Sequence, residues 1–296
     1  MDGSIPANNP VINGVKTHIW TYGHRNPQGL TFEKKADSIS VLLPGGKLYS
    51  SEQGPATDDE VNIIVGGKNY GWPRVAGKKD NGWYRYYQWS GHAGTGAGQC
   101  GNYGGECTAY QSGSALTENT FSAPNYTDPI FDLYRNTPTG GSSCNWLTNP
   151  TIAPSSIIYY PFTNKIPGWS NCLLITTLKT SSMFRLNLNA AGTAPALTAG
   201  SGGSDSVIQY FKTSSLNRYR DIVVGKDGIS FYLLTDSVGA TSGPSAGTNG
   251  VLQTGDRSYC INTPILYWQY GMIRSGFHKA GLISGYTRTR YPKNCL

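Results

Sequence analysis

RYRDIVVGKDGISFYLLTDS, residues 218–237, holds two runs of β-branched and aromatic residues on either side of a Lys-Asp-Gly turn. A strand, a tight turn with glycine at the position that needs conformational freedom, and a second strand make a β-hairpin. As a unit it reads as two neighbouring strands of one propeller blade. The same strand-turn-strand phrasing recurs at residues 155–188, at roughly the 40 to 50 residues that blade repeats occupy.

Outward from this hairpin, the chain offers THIWTY, KLYSS, EVNIIV, SIIYYPF, CLLITTL, MFRLNL, DIVVGK and ISFYLLTD as further short strands, with Gly, Pro, Asn or Asp between them. No amphipathic helix of useful length competes. The composition agrees: 38 Gly, 17 Pro and 20 Tyr with 14% charged residues, in a chain of 296, is that of a turn-rich β protein. The expected fold class is all-β, with an open β-sandwich as the alternative architecture. Residues 90–145 read as long loops inserted between strands, residues 1–255 as one β-propeller region, and residues 256–296 as an atypical basic tail.

The net charge of +7 is concentrated: residues 256–296 hold six Lys/Arg against one acid, Asp256, so the tail carries +5 of it. The body is nearly neutral, which argues against nucleic acid as a partner. No run approaches the roughly 18 apolar residues of a membrane span. Cys100, Cys107, Cys144, Cys172, Cys260 and Cys295 lack paired C-x-x-C spacing, so disulfides are a better reading than structural zinc, with free thiols as the alternative. Asn125 in NYT is one glycosylation sequon. MDGSIPANNP shows no signal peptide, while the sequon and the cysteines point to an extracellular or periplasmic protein.

Two turns carry candidate chemistry. In TYGHRNPQGL, Arg25 offers a planar fork of donors, Asn26 and Gln28 add amides, and Pro27 and Gly29 suggest a sharp bend. Such a turn suits a flat, oxygen-rich anion; a solvated loop is the alternative. Lys179, just past a strand, and Arg218 and Arg220, alternating onto one face of another, are further cations of this kind. In EQGPATDDE, the carbonyls of Gly54 and Pro55 and the carboxylates of Asp58, Asp59 and Glu60 form an oxygen-only set, which calcium accepts and zinc or copper does not prefer. The histidines, His18, His24, His92 and His278, show no metal spacing, and GGKNYGWP lacks the following helix of a nucleotide cradle.

The runs DGSIPANNP, TYGHRNPQGL, SSEQGPATDDEVNIIVGGKNYGWPRVAG, NPTIAPSS, NCLLITTLKTSSMFRLNL and NRYRDIVVGKDGISFYLLTDS closely resemble the soluble, pyrroloquinoline quinone (PQQ)-dependent glucose dehydrogenases of the glucose/sorbosone dehydrogenase family. The resemblance extends over about residues 1–252. It implies a six-bladed β-propeller, here of about four blades, that oxidises aldoses at the anomeric carbon to the lactone by hydride transfer to PQQ, with calcium beside the quinone.

By position, the resemblance makes Arg25, Asn26, Gln28, Trp146, Thr151, Lys179, Arg218 and Arg220 cofactor or sugar contacts, with Arg25 also at the reacting end. Gly54 and Pro55 match the carbonyl pair of the catalytic calcium, a Lewis acid for charge developing on oxygen. Glu60, Tyr70, Ala76, Lys78 (through its carbonyl) and Asp80 match further calcium positions, near a dimer contact, so the resemblance also implies a homodimer. Lys78 and Asn149 stand where the family has aromatics. The family's histidine base belongs to an earlier blade than the first that this chain resembles, so no catalytic base is assigned; a positioned base is worth about 10² to 10⁴ in rate. Aldose is the implied substrate, and the electron acceptor is unassigned. A non-catalytic calcium-binding propeller used for protein or carbohydrate recognition is the alternative function.

Overall fold

The computed structural model of the protein describes residues 2–55, 57–81, 84, 86, 116–134, 151–196, 207–212, 218–236 and 257–262. The chain divides into two compact units: Met1–Thr31 with Lys47–Pro154, and Phe32–Gly46 with Ser155–Leu296. Trp146, Asn149 and the cysteine side chains other than Cys172 lie outside the described residues.

The first unit holds a two-stranded hairpin, β1 (Val11–Ile12) with β2 (Val15–Lys16). Its main sheet has four strands in chain order: β3 (Pro27–Phe32), β4 (Leu48–Glu52), β5 (Asp59–Ile63) and β6 (Phe131–Leu133). Tyr49, Val61, Leu133 and Ile152 form its apolar interior. A single 3-10 turn, Glu118–Thr120, is the sole helical element among the described residues.

The second unit holds another four-stranded sheet in chain order, β7 (Pro154–Tyr160), β8 (Cys172–Thr177), β9 (Met183–Asn187) and β10 (Val207–Tyr210). A three-stranded sheet follows, β11 (Arg218–Val224), β12 (Ser230–Asp236) and β13 (Arg257–Asn262). Antiparallel strands joined in sequence order are the meander of a propeller blade, and the fold class is all-β of the propeller type. Tyr160, Phe162, Ile166, Trp169, Leu174, Met183, Ile222, Phe231 and Leu233 pack into one buried cluster. Burying a Leu or Phe side chain stabilises by about 1.5 to 3 kcal/mol. Cys172 is buried within this cluster as a free thiol.

The hairpin of residues 218–237 forms as its sequence implies. Asp227 Oδ1 accepts the amides of Ile229 and Ser230, both at 3.0 Å, and closes the turn. Gly228 has φ +75°, and a Cβ there would lie 2.8 Å from the Phe162 ring, so both conformation and space demand glycine. Ile222 and Val224 point inward while Asp221 and Val223 face out, the alternation of a half-buried strand.

Three local expectations are corrected. THIWTY is not a strand: its backbone is bonded irregularly by GGKNYGW, with Gly67 N donating to Trp20 O, Tyr22 N to Lys68 O and Tyr70 N to Tyr22 O. TYGHRNPQGL is not a sharp bend closed by Pro27 and Gly29. Pro27 opens the edge strand β3, where its missing amide costs no ladder bond. Arg218 and Arg220 do not simply alternate, because a bulge between Tyr219 and Asp221 leaves Arg220 as the extra residue opposite β12. In addition, β13 lies beyond residue 255, the expected end of the propeller region.

Candidate functional site

The Arg25 turn is built from below by the end of β4. Glu52, the last residue of that strand, is buried and directs its carboxylate at the turn. Its Oε1 accepts the amide of Arg25 and the amide of Asn26, the latter at 2.9 Å, and its Oε2 lies 3.0 Å from His24 Nδ1. The other ring nitrogen of His24 is 3.0 Å from Thr21 Oγ1, and the imidazole stacks on Tyr70 with centroids 4.5 Å apart. Gln53 N donates to Asn26 O, and Asn26 Nδ2 donates to Gln53 Oε1 at 3.0 Å. Gln28, on the exposed side of β3, donates to Asn26 Oδ1 at 2.7 Å.

The guanidinium of Arg25 lies 5.3 Å from the Trp72 ring and donates through one terminal nitrogen to Gln53 O at 3.1 Å. Its Nε is buried without a hydrogen-bond partner. A buried, unpaired charged donor is expensive in the absence of an acceptor, so this side chain fits a bound anion.

The Gly54–Pro55 loop is held by Asp59, which is fully buried at the start of β5. Asp59 Oδ1 accepts Gly54 N at 3.1 Å; Oδ2 accepts Thr151 Oγ1 at 2.7 Å, Ile152 N at 2.7 Å and Ala153 N at 3.3 Å. Burial raises the Asp59 carboxyl above its usual range, while these donors oppose the rise. Thr151 and Asp59 therefore spend their polar groups on each other and on the backbone. Through these bonds both side chains hold the loop. At Gly54 a Cβ would lie 1.9 Å from Thr57 O and 2.5 Å from Asp58 O, so only glycine lets these oxygens crowd together.

Replacing Asp59 with alanine will remove the acceptor of four donors, two of them, Thr151 Oγ1 and Ile152 N, in buried bonds. We expect a loss of about 3 kcal/mol or more, read as a lower denaturation midpoint, by the usual cost of unmade buried hydrogen bonds. A midpoint unchanged in Asp59→Ala would show that the loop finds other acceptors.

Beside this loop lies a cluster of acids. Six consecutive amides, from Ala76 to Asn81, each donate to a carboxylate: Ala76, Asp80 and Asn81 to Glu118, Gly77 to Glu60, Lys78 to Asp132 and Lys79 to Asp128. Burial, helped by neighbouring negative charge, pushes Asp58 up to about 7, Glu60 to about 8 and Glu118 to about 7. Carboxylates whose ionisation is this costly fit a hard divalent cation. Among the described residues no three His, Cys, Asp or Glu side chains converge as a ready ligand set. The Tyr70 hydroxyl donates to Ile63 O at 2.6 Å and accepts Val65 N at 3.0 Å, so it is engaged by the backbone.

Glu118 was not singled out in the sequence. It lies 37 to 42 residues from the amides of Ala76 and Asn81, and no local pattern marks it.

In the second unit, Lys179 sits in the turn after β8. Arg218, at the start of β11, is buried, and the bulged Arg220 is half-buried.

The profile of the Glucose / Sorbosone dehydrogenase family matches residues 1–97 and 118–242. The quinoprotein glucose dehydrogenase B of Acinetobacter calcoaceticus is 40% identical over 248 residues, 81% of this chain and 47% of that protein. The aldose sugar dehydrogenase YliI of Escherichia coli is 26% identical over 79% of this chain and 46% of its own. A PQQ-bound aldose sugar dehydrogenase from Streptomyces coelicolor superposes with a TM-score of 0.47 at 21% identity, over 88% of this chain and 49% of that one. The chain spans about half the length of the curated relatives it matches. It belongs to the glucose/sorbosone dehydrogenase family.

Proposed function

We propose that the chain is part of a quinoprotein that oxidises aldose sugars at C1 to the lactone, with PQQ as cofactor and calcium as its companion metal. The observation that carries the reading is Arg25: a half-buried guanidinium on a prefolded turn, with an unpartnered Nε, in a chain of this family. By family resemblance, Arg25, Asn26, Gln28, Lys179, Arg218 and Arg220 are the proposed contacts to the cofactor's carboxylates and quinone oxygens. Gly54 and Pro55 offer carbonyls to calcium, and Asp59 holds their loop in shape. Glu60, Tyr70, Ala76, Lys78 and Asp80 are proposed to serve further calcium ions.

When bound, PQQ would supply a two-electron acceptor for hydride from the anomeric carbon. The protein's part is to bind and orient: Arg25 presents a fixed fork of donors, and the wall of Trp72 behind it excludes water from one side. A guanidinium held before the reaction needs no reorganisation as negative charge grows on an acceptor oxygen. By the same family reading the protein is extracellular or periplasmic and a homodimer.

Titration of the calcium-loaded chain with PQQ, followed by absorbance, tests this. Saturable binding at one equivalent is the expected result. Calcium binding without any PQQ binding would favour a recognition module instead.

A further inference from the structure

We infer that Glu52 is a positioning residue for cofactor recognition: its buried carboxylate fills the pocket of consecutive amides under Arg25 and Asn26, and so presets the turn that grips the anion. The inference rests on the PQQ reading above.

Two successive amides converging on one point form an anion receptor. In an ordinary edge strand those amides would meet a neighbouring ladder or water. Here both donate to a single oxygen, Glu52 Oε1, and the other oxygen meets His24 Nδ1 at 3.0 Å. The receptor is filled from within the protein, by a residue 2% exposed. A bound anion is therefore left to the side chains of Arg25, Asn26 and Gln28, whose directions follow from the backbone that Glu52 holds. Gln53, next in the chain, takes the Arg25 guanidinium on its carbonyl and the Asn26 amide on its side chain, so residues 52–53 together clamp residues 24–26.

What the turn needs from Glu52 is acceptor geometry. A glutamine retains it: the amide oxygen can take both N–H groups, while its NH2 donates to a neutral His24 Nδ1. Alanine removes it. A defect cured by glutamine thus separates positioning from charge and from bulk stability.

The test uses the full chain in wild-type, Glu52→Ala, Glu52→Gln and Leu174→Ala forms, the last a core truncation in the second unit. PQQ affinity is read by titration, and amide exchange over residues 24–28 by mass spectrometry. Glu52→Ala should bind PQQ at least tenfold more weakly and lose protection in that segment. Glu52→Gln should stay within about threefold of wild type and keep protection; Leu174→Ala should lower the melting temperature yet bind within about threefold. Wild-type-like affinity in Glu52→Ala, a glutamine as weak as the alanine, or an equal loss in Leu174→Ala would each overturn the inference. If wild type itself fails to bind PQQ, the functional reading falls, and the exchange data alone decide whether Glu52 sets the turn: unchanged protection in Glu52→Ala would refute it.

Discussion

Calcium will raise the melting temperature of this protein, and by more at pH 8 than at pH 5. The acids that line the loop of residues 76–81 and its surroundings are buried close together, and burial pushes Asp58, Glu60 and Glu118 up to about 7, 8 and 7. In the unfolded chain they titrate near the ordinary carboxylate value of about 4. Across the window from about 4 to 8, the folded state therefore holds more protons than the unfolded state. Linkage then makes the metal-free stability greatest at the acid end and lowers it as pH rises through the folded values. A divalent cation reverses the penalty, because it favours the ionised carboxylates and competes with their protons. At a free calcium concentration of 1,000 times its dissociation constant, mass action alone contributes about 4 kcal/mol. Scanning calorimetry of calcium-free protein, with and without added calcium chloride at the two pH values, reads the effect directly. Identical melting curves with and without calcium at pH 8 would remove the calcium assignment.

Loss of the Arg25 or Arg218 guanidinium will weaken PQQ binding by roughly 2 to 4 kcal/mol, the cost of leaving a partly desolvated carboxylate without a charge-assisted partner. That is about a 30- to 1,000-fold change in dissociation constant. The Arg25 guanidinium lies over Trp72 and donates to Gln53 O through one terminal nitrogen, while its Nε has no hydrogen-bond partner, so donors remain for an anion. Arg218 is buried at the first position of β11, and replacing it removes a cation that solvent cannot substitute. Lys226→Ala is the charge-matched control, since Lys226 is exposed on the hairpin turn. The three variants should separate clearly in a PQQ titration. Equal affinities would mean that Arg25 and Arg218 contribute only net charge.

Much of this architecture was legible before any coordinates. KLYSS, EVNIIV, CLLITTL, MFRLNL and the hairpin of residues 218–237 all appear as strands within a residue or two of their sequence bounds. Strand formation and the Lys-Asp-Gly turn depend on side-chain alternation and on the conformational freedom of single residues, and both are written within a few positions. THIWTY misled because its β-branched and aromatic content is the same whether it joins a ladder or lies along a loop. Only the amides and carbonyls of residues 67–72 decide between these. The Arg25 turn misled for the same reason: Pro27 and Gly29 suit a bend, yet β4 was available to take them as an edge strand.

By itself, then, the sequence determined the all-β class, several central strands, the cations and the oxygen-rich loop, because composition and local pattern are enough for each. The tertiary structure decided which of those residues are spent on holding the chain and which remain for a ligand. Asp59 reaches 92 residues along the chain to Thr151, Glu52 turns back 27 residues to the Arg25 amide, and Glu118 closes on amides 37 to 42 residues away. Buried acids must find donors wherever the fold brings them, and the identity of those donors is set by long-range packing that no local spacing records.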